Sequence, residues 1–426
     1  MDLRPDARLH RHQRQLPLLS PWRFRRRALL GGLTGFAANP ALAARQIYTP
    51  LPADPLRAPV IREIPLPDFP GAHAIWGASG RDDAGGVWCG ISADEGDHSA
   101  HLVRYDPMTN QVTDRGDVLS QLARLGPRPA GEKQIKLHSK ILPLPDGRLY
   151  FTSTDEEGEA EDGSAPPRWG SHLWSIHPDE RDWRHHMSVP EGLTCAAAGG
   201  TTVWALGLWD HVLYSYDITT SQSARRVVGA ALGHMSRNII ADARGHAFIP
   251  RVRLLPDGTV AADLLEFAPP MTLLAATPLE NYGQGQTPGG AHGIVGLATQ
   301  ANGDILITTG AGALHRIAPH ANTSATITTT GWFHPAGRAY PSCLFAWDGT
   351  TTLAGLAQTE PLTWDWVVRD LARGTAHATR LSLPLGRIQL IYGSDTRDNN
   401  GHAYAVGRHS TVRGKVPVLL RIELPG

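Results

Sequence analysis

Apolar positions along this chain fall in short alternating runs, each closed by glycine, Asp-Gly or Asn-Gly, and long helical periodicity is absent. That punctuation predicts strands joined by tight turns. The pattern recurs as a unit of an apolar strand, a glycine turn, a second strand and a returning third. Second strands are predicted to start at Gly86-Val87-Trp88, Gly147-Arg148-Leu149-Tyr150, Thr202-Val203-Trp204, Gly245-His246-Ala247-Phe248, Gly303-Asp304-Ile305-Leu306, Gly349, and Gly401-His402-Ala403-Tyr404. Third strands follow through His101-Leu102-Val103, His172-Leu173-Trp174, Val212-Leu213-Tyr214, Asp263-Leu264-Leu265, Ala313-Leu314-His315, Trp366-Val367-Val368 and Val418-Leu419-Leu420. Units about 45 to 60 residues long suit the blades of a propeller. The expected fold is therefore all-β, a seven-bladed β-propeller. The segment Pro59-Val60-Ile61-Arg62-Glu63-Ile64 is predicted to be the outer strand of the last blade, which closes the ring and protects its edge. Radial repetition carries one domain past the usual single-core size, because each interface between blades is its own small core. A two-sheet solenoid is the alternative, and it leaves the closing strand without a role.

The first residues change the picture of the charge. Arg25-Arg26-Arg27 precede an apolar and small-residue run that ends at Ala41-Leu42-Ala43. This order reads as a twin-arginine export signal over residues 1–44, with the propeller over 45–426, so the mature chain is expected in the periplasm or secreted. The chain has 40 basic and 40 acidic residues; residues 1–44 hold eight arginines and two aspartates, so removing them leaves 32 against 38. A mildly acidic mature protein argues against nucleic acid as a partner, since such binding needs a basic face. A membrane span is not expected, and a monomer is. Cys89, Cys195 and Cys343 lie far apart without paired spacing and read as buried small residues.

Candidate chemistry collects where first strands begin, because these line a propeller's channel. The residues are His73; Lys136, His138 and Lys140; Ser236, Arg237 and Asn238; and His292. Alternation puts Lys136, His138 and Lys140 on one strand face, where two ammonium groups would attract a carboxylate and keep the imidazole neutral. A solvated strand end with three unrelated polar residues is the competing reading. His138, His172 and His211, on adjacent blades, would converge as an acid/base pair or as ligands of a divalent metal such as zinc. Each, taken alone, is more often a satisfied structural histidine than a ligand, and the chain has twenty histidines. Arg237 suits a bidentate carboxylate clamp or an interblade salt bridge. The acidic run 155–162 reads as a solvated loop, or as oxygen ligands for a hard cation such as calcium.

The succession His138-Ser139-Lys140, Asp146-Gly147-Arg148-Leu149-Tyr150-Phe151, Gly170-Ser171-His172-Leu173-Trp174, Tyr214-Ser215-Tyr216-Asp217 and Ser236-Arg237-Asn238 resembles the seven-bladed propeller polysaccharide lyases. These include ulvan lyases and rhamnose-glucuronate lyases, with a related propeller rhamnosidase. The resemblance is sharpest over residues 136–250 and architectural elsewhere. It implies β-elimination beside a uronic acid in a uronate-containing polysaccharide. His138 and His172 would be base and acid in an unassigned order, and Arg237, helped by Lys140, would neutralise the uronate carboxylate. Lys136, His211 and His292 would contact substrate. Two departures stand out. The family's third blade carries a tyrosine where this chain has Gly207-Leu208-Trp209-Asp210-His211, and its Gly-Gly-His step is Gly-Ser-His here. A propeller glycoside hydrolase removing a terminal rhamnose, and a non-catalytic propeller binding glycan or protein, are the alternatives; the missing tyrosine and the acidic insert favour the latter.

Overall fold

The computed structural model describes residues 56–94, 98–160, 164–208, 212–229, 236–283, 293–382, 388–392, 395–412 and 414–423. The proposed export signal, His211 and His292 lie outside them. Seven antiparallel sheets follow one another around a channel, and the described helix is short, Val118–Leu125. Blade one runs outward from Ala72–Ala74 through Val87–Ala93 and His101–Asp106 to Gln111–Asp117. The same order repeats to blade seven, where Ile388–Tyr392, Ala403–Thr411 and Gly414–Glu423 receive Val60–Ile64 as their outer strand. Its register, Val60 opposite Glu423 and Ile64 opposite Leu419, joins the first described strand to the last. The predicted second and third strands and the ring closure all coincide with observed ones.

Both faces of each middle strand are apolar because neighbouring blades cover both. Trp88, Trp174, Trp204 and Trp366 are fully buried between blades, and the three free cysteines are buried among similar neighbours. At the turn between first and second strands, an aspartate ties the hairpin to its own blade. In blade seven the Asp398 carboxylate accepts from the backbone amides of Asn400 and His402, and from the Tyr404 hydroxyl at 2.8 Å. Asp82 does the same with Gly86 and the Trp88 indole, and Asp146 with Arg148 and Tyr150. A buried carboxylate that loses a donor keeps its desolvation penalty. Tyr404→Phe is therefore expected to lower stability by roughly 1–3 kcal/mol, measured by urea denaturation; an unchanged midpoint would remove the turn aspartates from the blade's stabilising interactions.

Inner strands depart from regular pairing. Register shifts fall between Ala72 and Ala74, Leu193 and Cys195, Ile294 and Gly296, Pro341 and Cys343, and Ile388 and Leu390. A bulge leaves one residue outside the ladder and re-aims its groups. Here the residues passed over are His73, Thr194, Val295, Ser342 and Gln389. The freed carbonyls of Thr194 and Val295 accept side-chain hydrogen bonds from His138 and Asn238, at 2.8 and 2.7 Å. The bulges thus shape the channel that these side chains fill.

Candidate functional site

Four blades converge on Trp76, which follows the inner strand of blade one. The His138 ring of blade two lies parallel to the indole at 6.4 Å between centroids. Guanidinium groups of Arg237, from blade four, and Arg408, from blade seven, stand 6.0 and 4.7 Å from the same ring. The Lys136 ammonium adds a third cation at 5.4 Å. Gly407, just before Arg408, keeps the inner strand of the blade tight against it: a Cβ there would stand 1.9 Å from the Leu390 carbonyl oxygen.

Arg237 is the hub of this cluster. It reaches across the channel to donate to His138 Nε2 at 3.3 Å and to the Tyr392 hydroxyl at 3.5 Å, with its guanidinium 4.4 Å from the Tyr392 ring centroid. It also bonds to Tyr340 at the start of the blade-six inner strand. Burial raises the pKa of both phenols, so each keeps its proton at neutral pH.

His138 is buried, and its Nδ1 faces the Thr194 carbonyl, which can only accept. The proton therefore sits on Nδ1, and the Nε2 lone pair points at Arg237. Burial first, then the charges of Arg237 and Lys136, hold its pKa well below the usual imidazole value. A neutral imidazole with a fixed tautomer is what a general base requires, though Arg237 occupies its lone pair in this arrangement.

The lysines differ from the expectation that they act as free charges. Lys136 is ion-paired with Glu156 of the acidic insert, and Lys140 with Asp395 of blade seven at 2.8 Å. The strand is only Lys136–Leu137 and the chain bends at Ser139, so alternation does not place all three side chains on one face. Among the described residues Arg237 and Arg408 pair with no carboxylate; Arg408 donates to His73 Nε2 at 3.2 Å. The cluster is left with two uncompensated guanidinium charges around one indole.

The structure does not bring His172 to this site. His172 is opposite Ser153, and Ser153 is opposite Leu137, so all three side chains share one face of the sheet. That face meets blade one, where Leu137 approaches Gly90. His138, one residue on, turns the other way, toward blade three. His172 Nδ1 instead meets His185 Nε2 at 3.0 Å and the Ser188 hydroxyl at 3.1 Å. The structure thus brings His138 and Arg237 together and leaves His172 on the other face of the sheet: a one-residue change of parity separates the histidines.

Part of the acidic insert also has a use. Glu156 pairs with Lys136, and Glu157 with Lys133 at 3.2 Å and Arg168 at 3.7 Å. Among the described residues, no group of three or more histidines, cysteines or carboxylates is arranged to hold a metal ion. Ser236 and Asn238, flanking Arg237, brace the inner strands, with Ser236 Oγ donating to the Asn238 carbonyl at 2.6 Å. Trp76, Tyr340, Tyr392 and Arg408 were not singled out in the sequence. The available signal was position, since the three aromatic residues lie on or just after first strands, as His138 does, while Arg237 lies just before one.

Fold and site together define the chain as a seven-bladed β-propeller with a cationic, aromatic cluster in its channel. No protein-family model matches it, and no curated protein matches it. Solved structures that it resembles include a fungal alcohol oxidase of the AA5 family in complex with copper, at 10% identity and TM-score 0.49, covering 86% of this chain and 76% of that one. The RRP9 WD40 repeats align at 10% identity and TM-score 0.49, covering 86% and 99%. One of two prolyl endopeptidases aligns at 11% identity and TM-score 0.43, covering 81% and 46%.

Proposed function

We propose that the channel binds the carboxylate of a uronate-containing polysaccharide or oligosaccharide, and that the chain is a lyase cleaving beside that uronate by β-elimination. The carrying observation is the Arg237 guanidinium, which contacts a neutral His138 and the Tyr392 hydroxyl and has no carboxylate partner among the described residues. A uronate carboxylate accepting from Arg237 would draw it off His138 and free the Nε2 lone pair. Nε2 then takes the proton from the carbon beside the carboxylate. The electron pair forms the new C=C bond as the C–O bond to the neighbouring sugar breaks, and the Tyr392 phenol protonates the departing oxygen. Carbanion-like charge is tolerable only while the carboxylate is neutralised, which is the work of Arg237. In this scheme phenols from blades six and seven fill the place of the tyrosine that blade three lacks. Export to the periplasm or beyond would bring the protein to such glycans.

Binding without catalysis is the second reading, favoured because both ring nitrogens of His138 are engaged. Ultraviolet absorbance of the full chain incubated with a panel of uronate-containing polysaccharides separates the readings. Absorbance from unsaturated uronate is expected to rise, and to fall about a hundredfold or more in rate in His138→Gln. Reducing sugar without absorbance would mean hydrolysis. Binding of a panel member with neither product would establish the binding module.

A further inference from the structure

A groove of about 640 Å³ opens between blades six and seven and shares Tyr340 and Arg408 with the channel cluster. Its lining is suited to a saccharide rather than to an apolar ligand. Gln358 and Gln389 offer amide donors and acceptors, and Arg338 stands at the same groove with its guanidinium 5.5 Å from the Trp332 ring. Glu360 is the one carboxylate in the lining, against the two guanidinium groups of Arg338 and Arg408.

The rim carries a second, independent signal. Glu360 pairs with Thr363 across a two-residue turn, and Leu362 in that turn has φ of 60° while the residue is 52% exposed. Proline at the first central position and a left-handed second residue make a type II turn, in which glycine or asparagine is the unstrained choice. A bulky leucine held there, facing solvent at the edge of a polar groove, is a local strain of the kind that collects at ligand sites. An apolar side chain at that point gives a sugar ring a surface to lie against.

We infer that this groove is a second acidic-sugar subsite: the saccharide leaves the channel past Tyr340, its next acidic group is received by Arg408 and Arg338, and Leu362 flanks the sugar beyond. This rests on the proposed binding of a uronate at Arg237. The preferred ligand is then an oligosaccharide with acidic groups on successive sugars, not a single uronate in a neutral chain.

Calorimetric titration of the full chain with galacturonate, trigalacturonate and the neutral maltotriose tests it. Trigalacturonate is expected to bind about tenfold or more tightly than galacturonate, with no such gain for maltotriose. Arg338→Gln and Leu362→Gly should each cut the gain by about threefold or more while leaving galacturonate affinity unchanged. Leu362→Gly should do so without lowering the melting temperature, because it relieves the backbone strain; this separates a lost contact from a damaged fold. Equal affinity for the monomer and the trimer, a gain that survives in both variants, or equal binding of maltotriose overturns the second subsite. Failure of galacturonate and trigalacturonate alike to bind removes the uronate reading and the subsite with it.

Discussion

Arg237→Gln is expected to weaken uronate binding and turnover by roughly 10²–10³-fold, about 3–4 kcal/mol, while the protein stays folded. The two halves of that result have one cause. Arg237 is half-buried and bonds only to neutral groups among the described residues, with the Arg408 guanidinium against the same indole. Holding two like charges there without a counterion opposes folding, so removing one should leave the melting temperature unchanged or raised. A ligand carboxylate supplies the missing counterion, and glutamine cannot replace the charge or the two-pronged geometry. Arg237→Lys should lie between, keeping charge and losing the fork. Calorimetry with a uronate-containing oligosaccharide, alongside thermal melts, decides it. Binding within about threefold of the parent would show that Arg237 is a structural strut across the channel.

Acid is expected to destabilise the fold between about pH 6.5 and 4, before most carboxylates titrate. Burial is the first cause holding His138 well below the usual imidazole value and His172 and His186 at about 4. The unfolded chain binds these protons near pH 6.5 and the folded chain resists them. In that window the unfolded state carries more protons, so stability falls as pH falls. Each histidine contributes up to about 1.4 kcal/mol per pH unit. Asp217 and Asp348 act in a separate window: their folded pKa values are lowered to about 2, by hydrogen bonds that overcome the opposing, larger single effect of burial. Their stabilisation is present above the unfolded carboxylate value and is lost only as pH falls toward 2. Melting temperature followed from pH 7 to 4.5 should drop steadily, with a shallower slope in His172→Asn. A flat profile over that range would contradict neutral burial of these rings.

How much of the site was legible depends on what each residue's position required. His138 and Arg237 stand near the starts of first strands, which the repeat located, and the structure joins them at 3.3 Å. Tyr340, Tyr392 and Arg408 are distant in sequence from both, and no local pattern links them to His138 or Arg237. Lys136 and Lys140 looked like free charges because their partners, Glu156 and Asp395, come from an insert and from another blade. His172 shows the finest limit. Its strand was predicted, yet the face it occupies depends on a register with Ser153 and Leu137 that no local pattern states.

By itself the sequence determined the all-β class, seven repeats, the outer strand that closes the ring and the buried place of the cysteines, because alternation and turn residues act within a few positions of the chain. Tertiary structure decided which side chains meet. Inner-strand bulges re-aim residues that a regular period would place elsewhere, and ring closure sets blades one, two, four and seven around one indole. Those contacts join groups up to hundreds of residues apart, and their energies arise only when the channel excludes water from them.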